Sequence, residues 1–301
     1  MLDYINYYYE MYPDSINEVD DKYMFYVNCE KYYFVIYDRD INELEELIKL
    51  NKEMVSSNSL VHEIISNKFG DVLNNYNGRL YLLLRVYVND SKKVLVDDII
   101  YMLNETNIDL SFEKINRTNW ARLWEDKVDY FEYQMGHLIK KHPLLYNTID
   151  YYLGVSENAI LYLKSVVPGY DGKAFLGVCH RRISINSTLF DLYNPLNLII
   201  DYKVRDISEY IKDAFFSDEN VCHILNKIYS SYYFDKLNLA LLASRLLFPS
   251  YFYDKFEEIV YTECNENIIF DIIKKSSRFE DFINSFIISC NLQSISWLNK
   301  Y

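Results

Sequence analysis

Three features of this chain have residue types and spacing that bear on chemistry. They are the run His180-Arg181-Arg182, the acid that ends the apolar run Leu198-Ile199-Ile200-Asp201, and Asp206 five residues further on. Phosphoryl transfer uses such a layout. A carboxylate on a histidine-containing loop accepts the proton of the attacking hydroxyl, and a second carboxylate at the end of a nearby strand holds Mg²⁺ on the phosphates. Asp201 is the candidate for the second acid, as a vestigial metal position. The place of the first is taken by Arg182, and a guanidinium stays protonated and only donates hydrogen bonds. Whether the chain can perform the chemistry therefore turns on Arg182.

The other parts of such a centre are sparse. A phosphate-covering turn needs glycine so that backbone amides approach the phosphates closely. The chain has 7 glycines, and the first, Gly70, lies beyond the strands where that turn belongs. The strand lysine that bridges phosphates and a helix glutamate falls near Tyr37 in this pattern, with Lys31 only at the strand's start. Glu43 and Glu46 are the available helix glutamates, and two such residues most often form a solvated face. Asp206 stands before Ile207, Tyr210 and Ile211 with Glu209 three residues on, which reads as an N-cap with a capping box.

The elements that must position these residues are legible as a two-part pattern. Lys22–Val27 and Tyr32–Tyr37 read as strands around a turn at Asn28 to Lys31. A helix is expected from Asp40, capped with Glu43 and carrying the stripe Ile41, Leu44, Leu47, Ile48 and Val55. A third strand, Arg79–Val88, follows Asn77-Gly78. From about residue 98 the pattern is helical, with the stripe Trp120, Leu123, Trp124, Val128, Phe131, Met135 and Leu138 ending near Lys140 to Pro143. A further helix is expected near Ser156, short strands at Ala174–Val178 and Leu198–Ile200, and helices to the end with breaks at Ser217-Asp218 and Phe248-Pro249. The division implied is a small lobe over residues 1–88 and a helical lobe over 89–301.

Composition narrows the function classes. Half of the 301 residues are hydrophobic, so the chain is globular. The formal net charge of −13, with no basic stripe, argues against nucleic acid as a partner. Five cysteines are scattered without a CxxC pair, which suits a reducing cytosol and leaves no zinc pattern. Neither a secretory signal nor an apolar run of about 20 residues is visible, so a soluble, cytoplasmically made protein without a membrane partner is expected. The aromatic clusters Tyr7-Tyr8-Tyr9 and Tyr229 to Phe234 read as core packing or, if exposed, as an adhesive surface.

Longer strings carry a resemblance: Tyr151-Tyr152-Leu153-Gly154-Val155-Ser156-Glu157-Asn158-Ala159-Ile160, Arg205-Asp206-Ile207-Ser208-Glu209-Tyr210-Ile211-Lys212 and Ala243-Ser244-Arg245-Leu246-Leu247-Phe248-Pro249-Ser250-Tyr251-Phe252. With the His180 loop they resemble the YutH-type spore-coat-associated proteins, a branch of the aminoglycoside and choline phosphotransferase group. The resemblance covers roughly residues 118 to 258. It implies an α+β, protein-kinase-like bilobal fold with a β-rich N-lobe and a larger helical C-lobe. It also implies association with endospores and protein partners in the coat. The group's pattern is His-Gly-Asp followed five residues later by Asn. Here His180-Arg181-Arg182 is followed by Ser187, with Asn186 one residue early, and the group's brace aspartate falls on Asp206.

These features point to a pseudokinase: a kinase-like fold without catalytic residues or cofactor, in which His180 is structural and Asp201 pairs with Arg181 or Arg182. Two alternatives remain open. One is an active Mg-ATP-dependent small-molecule phosphotransferase with a relocated base, Asp201 or Asp191. The other is an anion-binding module that uses Arg181 and Arg182.

Overall fold

The computed structural model describes residues 1–19, 21–57, 60–104, 108–138, 141–262 and 264–298. In chain order it contains helix α1 (Leu2–Tyr9), strands β1 (Ile16–Val19), β2 (Lys22–Val27) and β3 (Glu30–Ile36), helix α2 (Leu44–Ser56), and strands β4 (Glu63–Ile65), β5 (Asn74–Tyr76) and β6 (Arg79–Val86). Helices α3 (Val96–Asn104), α4 (Trp120–Leu138) and α5 (Pro143–Ser165) follow, then strand β7 (Leu176–His180), helix α6 (Leu189–Tyr193) and strand β8 (Leu198–Tyr202). The chain continues as helices α7 (Val204–Phe216), α8 (Val221–Ser231), α9 (Lys236–Leu247), α10 (Ser250–Thr262) and α11 (Ile269–Ser289). This is the expected α+β class, with an antiparallel sheet in the N-terminal region and a larger helical part after it. No helix among the described residues is long and apolar enough to cross a membrane.

Two compact units divide the chain. The first comprises Met1–Leu95, Met102–Asn116 and Val178–Ile200; the second comprises Val96–Tyr101, Arg117–Gly177 and Asp201–Tyr301. The first unit is built on a six-stranded antiparallel sheet of order β1-β2-β3-β6-β4, with β5 also paired to β6. Two tight turns set its register. Asn77 and Gly78 both have positive φ (50° and 79°), the geometry of a two-residue hairpin turn between β5 and β6. Asn28 and Cys29 do the same between β2 and β3 (51° and 67°), so β3 starts at Glu30 rather than Tyr32. Alternation along β3 sends Tyr32 and Phe34 to the face covered by Ile5 and Tyr9 of α1. Tyr33 and Val35 therefore point to the opposite face.

Helix α2 is entered differently from the capping box expected. Asp40 caps a 3-10 turn, Ile41–Glu43, by accepting from the Asn42 amide at 2.9 Å. Its buried stripe is Leu47, Leu50, Asn51 and Met54, while Ile41 is 56% exposed. The segment 178–200 is fastened to the rest of the first unit through its backbone. The Val94 amide donates to Ser187 O (2.9 Å), the Leu189 amide to Lys92 O (2.8 Å), and buried Arg39 to Leu196 O (3.1 Å) and Leu198 O (2.6 Å).

In the second unit, aromatic packing joins the helices. Rings stack between Trp124 and Phe248 (4.5 Å), Phe131 and Tyr253 (4.2 Å), and Tyr152 and Phe252 (3.8 Å). Each such pair adds about 0.5–1.5 kcal/mol beyond its buried area. Two buried tyrosine hydroxyls find partners, Tyr152 with Ser276 Oγ (2.8 Å) and Tyr253 with Ser156 Oγ (2.7 Å). Helix α5 begins at Pro143, not near Ser156. Proline is suited to the first helical position, where no N–H partner is needed, so a residue read as an end is a beginning. The expected end of α4 at Lys140 lies outside the described residues, and within its stripe Leu123 is exposed. Strand β7 starts at Leu176 rather than Ala174, because the Phe175 amide is taken by Asn238 Oδ1 at 2.9 Å.

Candidate functional site

His180 ends β7 and is buried, with Nε2 2.7 Å from Leu192 O. A carbonyl only accepts, so the ring must donate from Nε2. The next two residues are held by Asn197. Its carbonyl accepts from the Arg181 amide (2.7 Å), its Oδ1 from the Arg182 amide (3.2 Å), and its Nδ2 donates to Arg182 O (2.8 Å). Both arginine side chains are exposed, and Arg181 faces Asp38 at 3.4 Å. The turn that follows is closed by serine. Ser184 Oγ accepts from the Asn186 and Ser187 amides, each at 3.1 Å, and Asn186 Oδ1 accepts from Lys93 Nζ at 3.2 Å. Asp191, one of the two relocated bases considered, lies in a capping box. Its Oδ2 accepts from the Thr188 amide (2.8 Å) and hydroxyl (2.9 Å), fixing the start of α6.

The remaining parts in the first unit also have structural partners. The β1–β2 hairpin has Asp21 at φ 59° in its turn, and Gly70 sits between β4 and β5. Lys31 pairs with Asp90 at 2.5 Å, and the Tyr33 hydroxyl donates to the same carboxylate. Glu43 and Glu46 are not the solvated face expected of them. Glu43 takes the Arg39 Nε (2.6 Å), and Glu46 accepts three successive backbone amides, those of Glu113 (3.1 Å), Lys114 (2.7 Å) and Ile115 (3.1 Å).

In the second unit Asp201 is fully buried at 0% exposure. Its Oδ2 accepts from Trp120 Nε1 (3.1 Å) and from Arg205 (2.7 Å), and its Oδ1 accepts from the Tyr202 amide (2.7 Å). The ion pair expected with Arg181 or Arg182 is thus made with Arg205 instead, four residues on, where the chain passes from β8 into α7. Burial pushes the Asp201 carboxyl up, against the opposing pull of Arg205 and Arg245. This donor set does not fit Mg²⁺, which needs oxygen ligands around it. Three N–H donors converge on the carboxylate, one from a cation. Among the described residues no group of His, Cys, Asp or Glu side chains could hold a metal ion.

Asp206 is not an N-cap. Helix α7 begins at Val204 with Lys203 at the cap, so Asp206 is buried in its first turn, where the helix end favours a negative charge. Glu209, expected to close the capping box, instead centres a buried network. Lys212 Nζ (2.8 Å) and Arg245 Nε (2.7 Å) share its Oε1, and Ser250 Oγ donates to its Oε2 (2.7 Å). Lys212 also donates to Arg245 O (3.1 Å), Phe248 O (3.3 Å) and Ser250 Oγ (2.6 Å). The Arg245 guanidinium lies 5.1 Å from the centre of the Trp120 ring and so links this network to Asp201. Burial alone would raise the Glu209 carboxyl, but Lys212 and Arg245 outweigh it and hold it well below its usual range. Burial also lowers Lys212 to about 8 despite its partner.

Asn197 had no assigned role in the sequence, Trp120 was read only as part of a helical stripe, and Glu209 only as part of a capping box. The signal for Arg205 and Lys212 was spacing, a base four residues after Asp201 and three after Glu209. The aromatic clusters divide rather than acting as units. Tyr9 and Phe234 are buried, whereas Tyr7 is 57% and Tyr233 79% exposed.

An antiparallel N-terminal sheet, a larger helical part, a buried histidine ending one short strand and a buried aspartate in the next define a kinase-like phosphotransferase fold. The solved structures agree. An aminoglycoside phosphotransferase from Alicyclobacillus acidocaldarius superposes with a TM-score of 0.68 over 100% of this chain and 97% of its own, at 9% identity. A microcompartment-associated aminopropanol kinase gives 0.61 over 96% and 98%, at 9% identity. A spectinomycin phosphotransferase in complex with ADP and spectinomycin gives 0.59 over 88% and 89%, at 10% identity. The chain belongs to the family described as "Spore coat putative kinase YutH", which it matches over residues 3–286. It is similar to the endospore coat-associated protein YutH of Bacillus subtilis (strain 168), with 23% identity over 292 residues and 86% of each chain covered.

Proposed function

We propose that this protein is a catalytically inert kinase-like fold that serves as a structural or interaction component of the bacterial spore coat. The observation that carries the reading is the state of Asp201. The one acid placed to hold a metal is buried against Trp120 and Arg205, and its oxygens are spent on protein donors. The loop where a base would stand presents Arg182, and Asp191 is committed to the start of α6. Neither of the two relocated bases considered, Asp201 and Asp191, is left available by these contacts. The coat assignment comes from the family and from the Bacillus relative. The partners proposed are coat proteins, without nucleic acid, membrane or nucleotide cofactor, after synthesis in the cytoplasm.

Incubation of the purified protein with Mg-ATP and candidate acceptor alcohols should release no ADP. ADP formation abolished by Asp201→Asn would instead establish an active phosphotransferase. In a sporulating host, a fluorescent fusion should concentrate at the coat, and a fusion that stays diffuse through sporulation would remove that part of the proposal.

A further inference from the structure

Strands β5 and β6 are joined by a loop of two residues, Asn77 and Gly78, between the paired residues Tyr76 and Arg79. Asn77 is the one asparagine of the chain that a glycine follows. Both loop residues are exposed, and no atom lies within 4 Å of the place a Cβ would take on Gly78. Such a pair of residues is chemically labile. A backbone nitrogen can attack the side-chain amide carbon of the asparagine before it, and glycine, without a side chain, hinders that approach least.

The reaction needs no co-reactant but water. The Gly78 nitrogen forms a bond to Asn77 Cγ, its proton leaves with the side-chain nitrogen as ammonia, and a five-membered imide closes. Water then opens one of the two C–N bonds of the imide. Breaking the bond to Cγ leaves an aspartate. Breaking the bond to the backbone carbonyl carbon leaves an isoaspartate, in which the chain runs through Cγ and is one methylene longer. Either product carries one further negative charge.

The folded hairpin opposes the first step in two ways. The Gly78 amide donates to Asn75 Oδ1 at 3.1 Å, and the attacking nitrogen must give up that proton. Asn77 is left-handed at φ 50°, and in a turn of this type its ψ is about +30°, which turns the Gly78 nitrogen away from the side chain. We infer that Asn77 is a latent site of spontaneous deamidation, which the hairpin holds closed with the Asn75 side chain as its latch. An isoaspartate formed there is too long for the two-residue turn, and the strand it would loosen lies on the aromatic core. Tyr76 packs 5.1 Å from Tyr4 and 6.0 Å from Tyr23, and the Tyr4 hydroxyl donates to Asn75 O at 2.8 Å. The inference is independent of whether the fold is catalytically inert.

The test is peptide mass spectrometry of the full chain incubated at mildly alkaline pH, folded and in concentrated urea, following the conversion of amide to acid. In urea Asn77 should convert faster than every other asparagine. The folded wild type should convert there at least tenfold more slowly. Folded Asn75→Ala should convert at least threefold faster than folded wild type, whereas Asn75→Asp, which keeps the acceptor, should stay slow. Faster conversion at another asparagine in urea, a folded rate equal to the unfolded one, or an Asn75→Ala rate equal to wild type overturns the inference. If Asn75→Ala does not fold, amide hydrogen exchange of the wild type gives the same decision: a protected Gly78 amide supports the latch, and one that exchanges as freely as in the unfolded chain rejects it.

Discussion

The Glu209 network of the second unit and His62 of the first both place ionisable groups in the interior, and they do so in opposite ways. Around Glu209 every charge has a partner: Lys212 and Arg245 on one oxygen, Ser250 on the other. Around His62 two polar atoms are buried with none. A satisfied network of this kind holds helices α7, α9 and α10 in one arrangement. An unsatisfied group is a local cost to stability.

Mutations should separate the two regions. The largest effect is expected for Glu209→Ala, which leaves Lys212 and Arg245 buried without their counter-charge. The loss should be about 3–5 kcal/mol in urea unfolding. A loss below about 1 kcal/mol would mean that the network contributes little and that the contrast with His62 fails.

His62 is read through pH. Burial pushes His62 down to about 3, with Asp90 the charge that opposes this. Its folded value thus lies below the unfolded value of about 6.5. Between these values the unfolded chain takes a proton that the folded chain refuses, so stability falls as pH falls from about 6.5 toward 3. His62→Leu should reduce the stability lost between pH 7 and pH 5 by about 2 kcal/mol relative to wild type. Parallel pH profiles for the two proteins would place His62 in contact with water.

The smallest effect is expected for Arg181→Ala. Its pair with Asp38 is exposed on both sides, and such pairs contribute roughly 0–1 kcal/mol. A larger loss would give the loop a structural role through its side chains and not only through Asn197.

The sequence made the frame legible where hydrophobic pattern and turn chemistry agree. Lys22–Val27 appears as read, Asn77-Gly78 forms the hairpin it announces, and the breaks after Phe216 and Leu247 fall where expected. Strands β4 and β5, three residues each, are too short to show a period. At α7 two start signals competed. Asp206 with Glu209 has the spacing of a capping box, yet the helix starts at Val204, Asp206 is buried within its first turn and Glu209 pairs with Lys212 and Arg245. Thr188-x-x-Asp191 carries the same signature and does form the box. Local spacing alone does not distinguish the two cases, because the difference lies in tertiary partners far along the chain. The same limit hid Arg205 as the partner of Asp201. His62 gave no local sign at all: an apolar neighbour such as Val61 fits a histidine that is satisfied or one that is not.

The central claim is that this kinase-like fold no longer receives a nucleotide, and thermal unfolding with and without Mg-ATP tests it most directly. A ligand at 100 times its Kd adds about 2.7 kcal/mol to the folded state, a shift of roughly 4 °C for a chain of this size. The prediction is no shift at millimolar Mg-ATP. A shift of several degrees that disappears in Asp201→Asn would contradict the account and return Asp201 to the metal.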